Sequence, residues 1–136
     1  MTAPFSGGCA CGAIRYVCAR APVAMLNCHC RDCQRASGAG HVPVVGFEKS
    51  RFSVRGETRS FSSVGLSGRL AVRHFCAHCG SLLFGLPEIA PDLVTLYAGS
   101  LDDPRDFKAD YVQFLRDRRD WDRMNWDAPG HHLAGQ

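Results

Sequence analysis

Seven of the eight cysteines fall into three tight clusters: Cys9-x-Cys11, Cys28-x-Cys30-x-x-Cys33, and Cys76-x-x-Cys79 followed by Gly80. Cys18 stands alone. Zinc takes soft thiolates in a tetrahedron with Zn–S bonds of about 2.3 Å, so sulfurs that share an ion must lie close together. Residues two apart in an extended chain point to the same face, and a C-x-C segment therefore delivers two thiolates to one side. A C-x-x-C on a tight turn does the same. Gly80 stands where such a turn needs positive φ, which glycine adopts freely. Two half-sites make one four-thiolate site, and the economical pairing is Cys9 and Cys11 with Cys76 and Cys79. A lone C-x-x-C is also a redox signature, but no βαβ pattern surrounds this one.

The middle cluster differs, because Cys28, Cys30 and Cys33 supply three thiolates. A structural zinc takes four protein ligands; a catalytic zinc commonly takes three and keeps a position open. His29 is one candidate fourth ligand, although strand alternation aims it away from Cys28 and Cys30. Cys18 is another, and would close the site. It also fits a buried core position beside Ile14 and Tyr16, a common place for a free cysteine. The third possibility is an open site.

Clustered cysteines mean metal ligands in a reducing compartment and disulfides in an oxidising one. The start of the chain has no basic segment followed by an apolar run, so the expected address is the cytoplasm with reduced thiols. No apolar run reaches the roughly 20 residues of a membrane helix. At 136 residues, with 46% hydrophobic and 21% charged residues, the chain suits one globular domain, residues 1–136, rather than a disordered or fibrous one. The net charge of +3 is uneven: Met1 to Phe75 holds ten Arg and Lys against three Asp and Glu. A solvated surface explains this, as does a rim that attracts a small anion. The arginines are too scattered for a nucleic-acid groove, and no recognition helix is evident.

The elements that must position the cysteines are short and mainly β. Apolar alternation or short apolar runs predict strands at Ala13 to Cys18, Val23 to Cys28, His41 to Phe47, Arg51 to Arg55, Arg69 to Phe75, Leu82 to Leu86 and Leu93 to Ala98. Glycine, serine and proline clusters punctuate them. Arg31 to Ser37 suits one or two helical turns. Ser100 to Pro104 suits a turn or a helix start, with acidic residues at its N-terminus. Gln113 to Trp126 has no decided structure, and the tail beyond Pro129, with His131 and His132, is expected to fray.

Together, Gly8-Cys9-Ala-Cys11-Gly12, Tyr16, Cys28-His-Cys30-x-x-Cys33-Gln-x-x-x-Gly38 and Phe75-Cys76-x-x-Cys79-Gly80-Ser81 resemble the glutathione-dependent formaldehyde-activating enzyme (GFA) family, a group that includes centromere protein V. Gly99-Ser-Leu101-Asp-x-Pro104 and the Trp121 region extend the resemblance from Gly8 to about Pro129. It implies a β-tent of antiparallel sheets. It also implies two zinc ions: a structural one on Cys9, Cys11, Cys76 and Cys79, and a catalytic one on Cys28, Cys30 and Cys33. Gln34 departs from the family, where arginine is frequent directly after the third cysteine. The implied activity is that of a carbon–sulfur lyase acting on glutathione and formaldehyde, through S-hydroxymethylglutathione, or on a related thiol–aldehyde adduct. The alternatives are a non-catalytic zinc-binding module and a thiol or metal sensor. Arg15, Arg31 and Arg35 lie nearest the clusters and are candidates to hold carboxylates, or simply solvated. His29, Asp32 and His41 flank the middle cluster, and none is singled out as acid or base.

Overall fold

The computed structural model describes residues 4–65 and 67–123. The chain is mainly β, with ten strands, β1 to β10, and one short α-helix among the described residues. Three strands form a small antiparallel sheet in the order β1 (Phe5–Gly8), β2 (Arg15–Cys18), β5 (Phe52–Arg55). The other seven form a large sheet. Its order is β10 (Tyr111–Gln113), β3 (Ala24–Cys28), β4 (Val42–Glu48), β9 (Leu93–Tyr97), β8 (Leu82–Pro87), β7 (Leu70–Cys76), β6 (Thr58–Val64). All pairings are antiparallel except β10 with β3, which is parallel.

The seven expected strands are all present, with ends shifted by a residue or a few. β1, β6 and β10 lay outside the sequence reading. β1 reads FSGG and β6 reads TRSFSSV, mostly exposed, so neither carries an apolar run to betray it. Both form because a neighbour with a strong pattern offers its edge: Phe5 faces Cys18, and Thr58 faces Cys76. Gln113 ends β10, and a 3₁₀ turn follows at Leu115–Asp117. Trp126, His131 and His132 lie outside the described residues. The acidic residues after Ser100 cap no helix. Asp102 accepts from Arg15 and Ser6, and Asp103 pairs with Arg105.

β4 is buried on both faces, and this decides the layering. Val45 and Phe47 point to the small sheet and pack with Phe5, Ile14, Tyr16, Cys18, Val94 and Leu96. Val42 and Val44 point the other way and pack with Leu26, Cys28 and Cys33. Period-2 alternation thus splits one strand between two apolar clusters. In the first, the rings of Phe5 and Phe47 lie 5.4 Å apart, and those of Phe52 and Phe84 4.9 Å apart. Tyr16 brings the one hydroxyl of that layer. It donates to Ser100 Oγ at 2.7 Å, which itself donates to the Tyr97 carbonyl at 2.8 Å. A buried phenol is therefore satisfied rather than orphaned.

Cys18 is 1% exposed inside this layer, and burial pushes its thiol up to about 12. It behaves as a small apolar side chain. Cys18→Ser would bury a hydroxyl among phenylalanines. It is expected to lower stability in urea denaturation by about 1–3 kcal/mol and to leave the metal content of the purified protein unchanged. Loss of a metal equivalent would instead make Cys18 a ligand.

Candidate metal centres

The first set of sulfurs sits where two hairpins meet. Cys9 and Cys11 lie in the turn between β1 and β2; Cys76 ends β7, and Cys79 lies in the turn to β8. Cys9 Sγ is 3.6 Å from Cys11 Sγ, and Cys11 Sγ is 3.7 Å from Cys76 Sγ. A tetrahedron with metal–sulfur bonds of about 2.3 Å has edges of about 3.8 Å. The four sulfurs therefore stand at the spacing of a tetrathiolate site that can hold a metal ion.

Backbone amides complete the shell. The Ile14 N–H donates to Cys9 Sγ at 3.2 Å and the His78 N–H to Cys76 Sγ at 3.4 Å. The Ile14 donor favours thiolate over thiol at Cys9. Ser81 joins the two turns: its Oγ accepts from the Ala10 N–H at 3.0 Å and donates to Cys79 Sγ at 3.2 Å. That hydroxyl, then the Ser81 and Cys11 amides, lower the Cys79 thiol to about 5. Gly80 has φ 76°, and its N–H closes the turn onto the Cys76 carbonyl at 2.9 Å. This is the left-handed conformation expected of it from the sequence.

The second set forms at the junction of β3 and α1 (Arg31–Ser37). Cys28 ends β3, Cys30 caps the helix, and Cys33 lies in its first turn. The Cys33 N–H donates to Cys30 Sγ at 3.2 Å, so a thiolate takes the place usually held by a Ser or Asp oxygen. The three sulfurs lie within 4.8 Å of one another. Hydrogen bonds from Cys28, then Cys33, pull Cys30 well below the ordinary thiol range, and the Arg73 charge adds to this against the effect of burial. The guanidinium of Arg73, on β7, donates to Cys33 Sγ at 3.5 Å.

A groove opens from Cys28 and Cys33 along the outer face of the large sheet. It has a volume of about 290 Å³ and is walled by Leu26, Val44, Val72, Leu86 and Tyr97, with Arg73 as its charged lining residue. Beyond Arg73 lies a second hollow, shared with Asp32, Arg35 and Phe61.

The structure brings all seven clustered cysteines into these two sets and keeps Cys18 out of both. His29 is fully buried and points away from the three sulfurs, toward His41 and Asp122. Burial, then the neighbouring His41, lowers its pKa; Asp122, then the Gly40 backbone, opposes this. Arg15 is committed to Asp102, and Arg31 to the Gln34 side-chain carbonyl. Arg35 faces the second hollow. The residue missed in the sequence is Arg73. Its signal was a charged side chain inside the alternating β7 segment, but alternation alone does not say which face meets the cysteines. Gln34 is buried, and its amide donates to the His29 carbonyl at 2.7 Å and the Asp117 carbonyl at 3.0 Å. Gln34 thus ties the cysteine loop to the segment after β10.

A family model described as glutathione-dependent formaldehyde-activating enzyme matches residues 4–117, which include every clustered cysteine. The chain belongs to the GFA family. It is similar to a Halomonas elongata protein provisionally named a glutathione-dependent formaldehyde-activating enzyme: the two are 28% identical over 121 residues, covering 85% of this chain and 77% of that protein. The crystal structure of a Rhodobacter sphaeroides protein shares the fold, with a TM-score of 0.59 and 24% identity over 74% of this chain and 93% of that one.

Gln34→Ala would strand the buried His29 carbonyl of this GFA chain and take one of two donors from the Asp117 carbonyl, which also accepts from Arg119 Nε at 2.9 Å. Urea unfolding is expected to show a loss of about 1–3 kcal/mol. An unchanged midpoint would mean that the Gln34 bridge contributes nothing.

Proposed function

We propose that this protein is a zinc-dependent carbon–sulfur lyase of the GFA type, acting on S-hydroxymethylglutathione or a related thiol–aldehyde adduct in the cytoplasm, as one domain. The observation that carries this reading is the contrast between the two sulfur sets. Cys9, Cys11, Cys76 and Cys79 complete a tetrahedron of their own and suit a structural zinc. Cys28, Cys30 and Cys33 supply three ligands beside an open groove, with no fourth cysteine at hand. A zinc ion held by three thiolates supplies a Lewis-acidic position that favours a bound thiolate or polarises a carbonyl oxygen.

In the forward direction the thiol sulfur bonds to the formaldehyde carbon, the carbonyl π pair moves onto oxygen, and the thiol proton ends on that oxygen. In the lyase direction the hydroxyl oxygen's electron pair reforms the carbonyl as the C–S bond breaks, the C–S pair leaves on sulfur, and the hydroxyl proton ends on that sulfur, regenerating the thiol. The chain's own residues support this by position and charge. Hydrogen bonds from Cys28, then Cys33, hold Cys30 below the ordinary thiol range, which favours the thiolate form a metal ligand needs. Arg73 offsets the negative charge gathered by three thiolates, and its free donor capacity suits a substrate carboxylate. The walls from Leu26 to Leu86 shelter the reacting carbon from water. Among the described residues no helix is long and apolar enough to cross a membrane.

Cobalt reconstitution tests this reading. Glutathione should perturb the thiolate-to-cobalt absorbance saturably in the parent protein. Cys33→Ser should fold, lose one metal equivalent and lose that response, whereas Cys79→Ser should misfold or become insoluble. Exchange NMR should show accelerated interconversion of glutathione, formaldehyde and the adduct by the parent alone. A spectrum indifferent to any thiol, with no acceleration, would leave only a metal-binding module. Arg73→Gln is expected to raise KM roughly 10- to 100-fold, the loss of one charged hydrogen bond, with a smaller effect on kcat.

A further inference from the structure

Behind the middle cysteines lies a cluster that neither sulfur set uses. His29 follows β3, His41 precedes β4, and Asp122 comes from the segment after β10, beyond the residues that match the family. Their donor atoms converge within 4.8 Å of one another. His41 Nδ1 is 2.7 Å from Asp122 Oδ2, and His29 Nδ1 is 3.8 Å from the same oxygen. The two imidazole rings are 5.1 Å apart, centroid to centroid, and tilted by 37°.

We propose that His29, His41 and Asp122 form a third metal site, for a divalent first-row transition ion, separate from both cysteine sets. An ion with bonds of about 2.0–2.2 Å to nitrogen and oxygen places neighbouring donors roughly 3–3.5 Å apart. The 2.7 Å and 3.8 Å separations bracket that spacing. The His41–Asp122 contact is a hydrogen bond whose proton an ion replaces. The 3.8 Å separation is too long for a hydrogen bond and close to a ligand edge. Two imidazoles and one carboxylate suit zinc, cobalt, nickel or ferrous iron, and leave further positions for water.

The surroundings hold the carboxylate in place. A Cβ at Gly40 would fall on the Asp122 carboxylate, so only glycine there lets it approach. The Asp122 N–H closes a turn onto the Arg119 carbonyl at 3.0 Å. Gln34 fastens the preceding Asp117 carbonyl to the loop that carries His29. His29 is fully buried, and the side chain of Asp122 is 15% exposed. An ion here pins the last described segment onto the start of the cysteine loop, on the face opposite the groove.

Metal stoichiometry of the full chain tests this. Protein reconstituted anaerobically with Co²⁺ and washed should hold one equivalent beyond those that produce thiolate charge-transfer bands. That equivalent should show only weak d–d absorbance. It should be lost in His41→Ala and in Asp122→Asn and retained in Asp122→His, which restores a nitrogen donor, while the thiolate bands stay unchanged. No extra equivalent in the parent overturns the proposal, as does an extra equivalent that survives both His41→Ala and Asp122→Asn. The proposal does not depend on lyase activity: failure of the cysteine sites would appear in the thiolate bands, and failure of this site in the equivalent without them.

Discussion

Four sulfurs from two hairpin turns set the geometry on which the rest depends. The β1–β2 turn belongs to the small sheet and the β7–β8 turn to the large one. Bringing Cys9 and Cys11 to within bonding reach of Cys76 and Cys79 fixes how the sheets meet at that end. Ser81 reinforces the junction with one hydroxyl, accepting from one turn and donating to a sulfur of the other. With one end clasped, the alternation of β4 and β9 does the remaining work. Their Val45, Phe47, Val94 and Leu96 side chains fill the space between the sheets, and the opposite faces remain for the site.

That division separates stability from chemistry. The inter-sheet layer holds the aromatic rings, the satisfied Tyr16 hydroxyl and the inert thiol of Cys18. The outer face holds Cys28 and Cys33, Arg73 and a groove floored in part by the small residues Ala24, Gly46 and Gly85. A Cβ at Gly85 would run into Thr95 Oγ1, another lining atom, at 2.7 Å. The middle cysteines gain their reactivity from local structure: a strand end, a helix cap and a first helical turn gather three sulfurs within six residues. Hydrogen bonds from Cys28 and Cys33, with the Arg73 guanidinium nearby, hold Cys30 below the ordinary thiol range, while the thiols of Cys28 and Cys33 are raised. Low thiol pKa at a half-buried site is the condition for metal binding at neutral pH.

The loop that carries these cysteines faces two ways. Cys28 turns toward the groove, and His29 next to it turns toward His41 and Asp122. One short extended segment thus serves two clusters, and the buried amide of Gln34 braces it from behind. This gives the glutamine a structural role. It also couples the position of the cysteine loop to a segment that lies beyond the family match.

Ligand types, their spacing and the strand pattern were local properties, and the sequence by itself determined them. C-x-C on extended chain, C-x-x-C-Gly on a turn and alternation in β2, β4 and β7 each follow from backbone geometry over a few residues. The seven strong strands were legible for that reason; Cys18 fitted a core face beside Ile14 and Tyr16, but only the structure decided between that and a fourth ligand. Tertiary structure alone decided what depends on distant partners. The polar, exposed β6 is a strand only because β7 offers it an edge. Arg73 reaches Cys33 across 40 residues of sequence, and Asp122 reaches His41 across 81. No periodicity records such meetings, because they are set by how two sheets, joined at four sulfurs, fold the chain back upon itself.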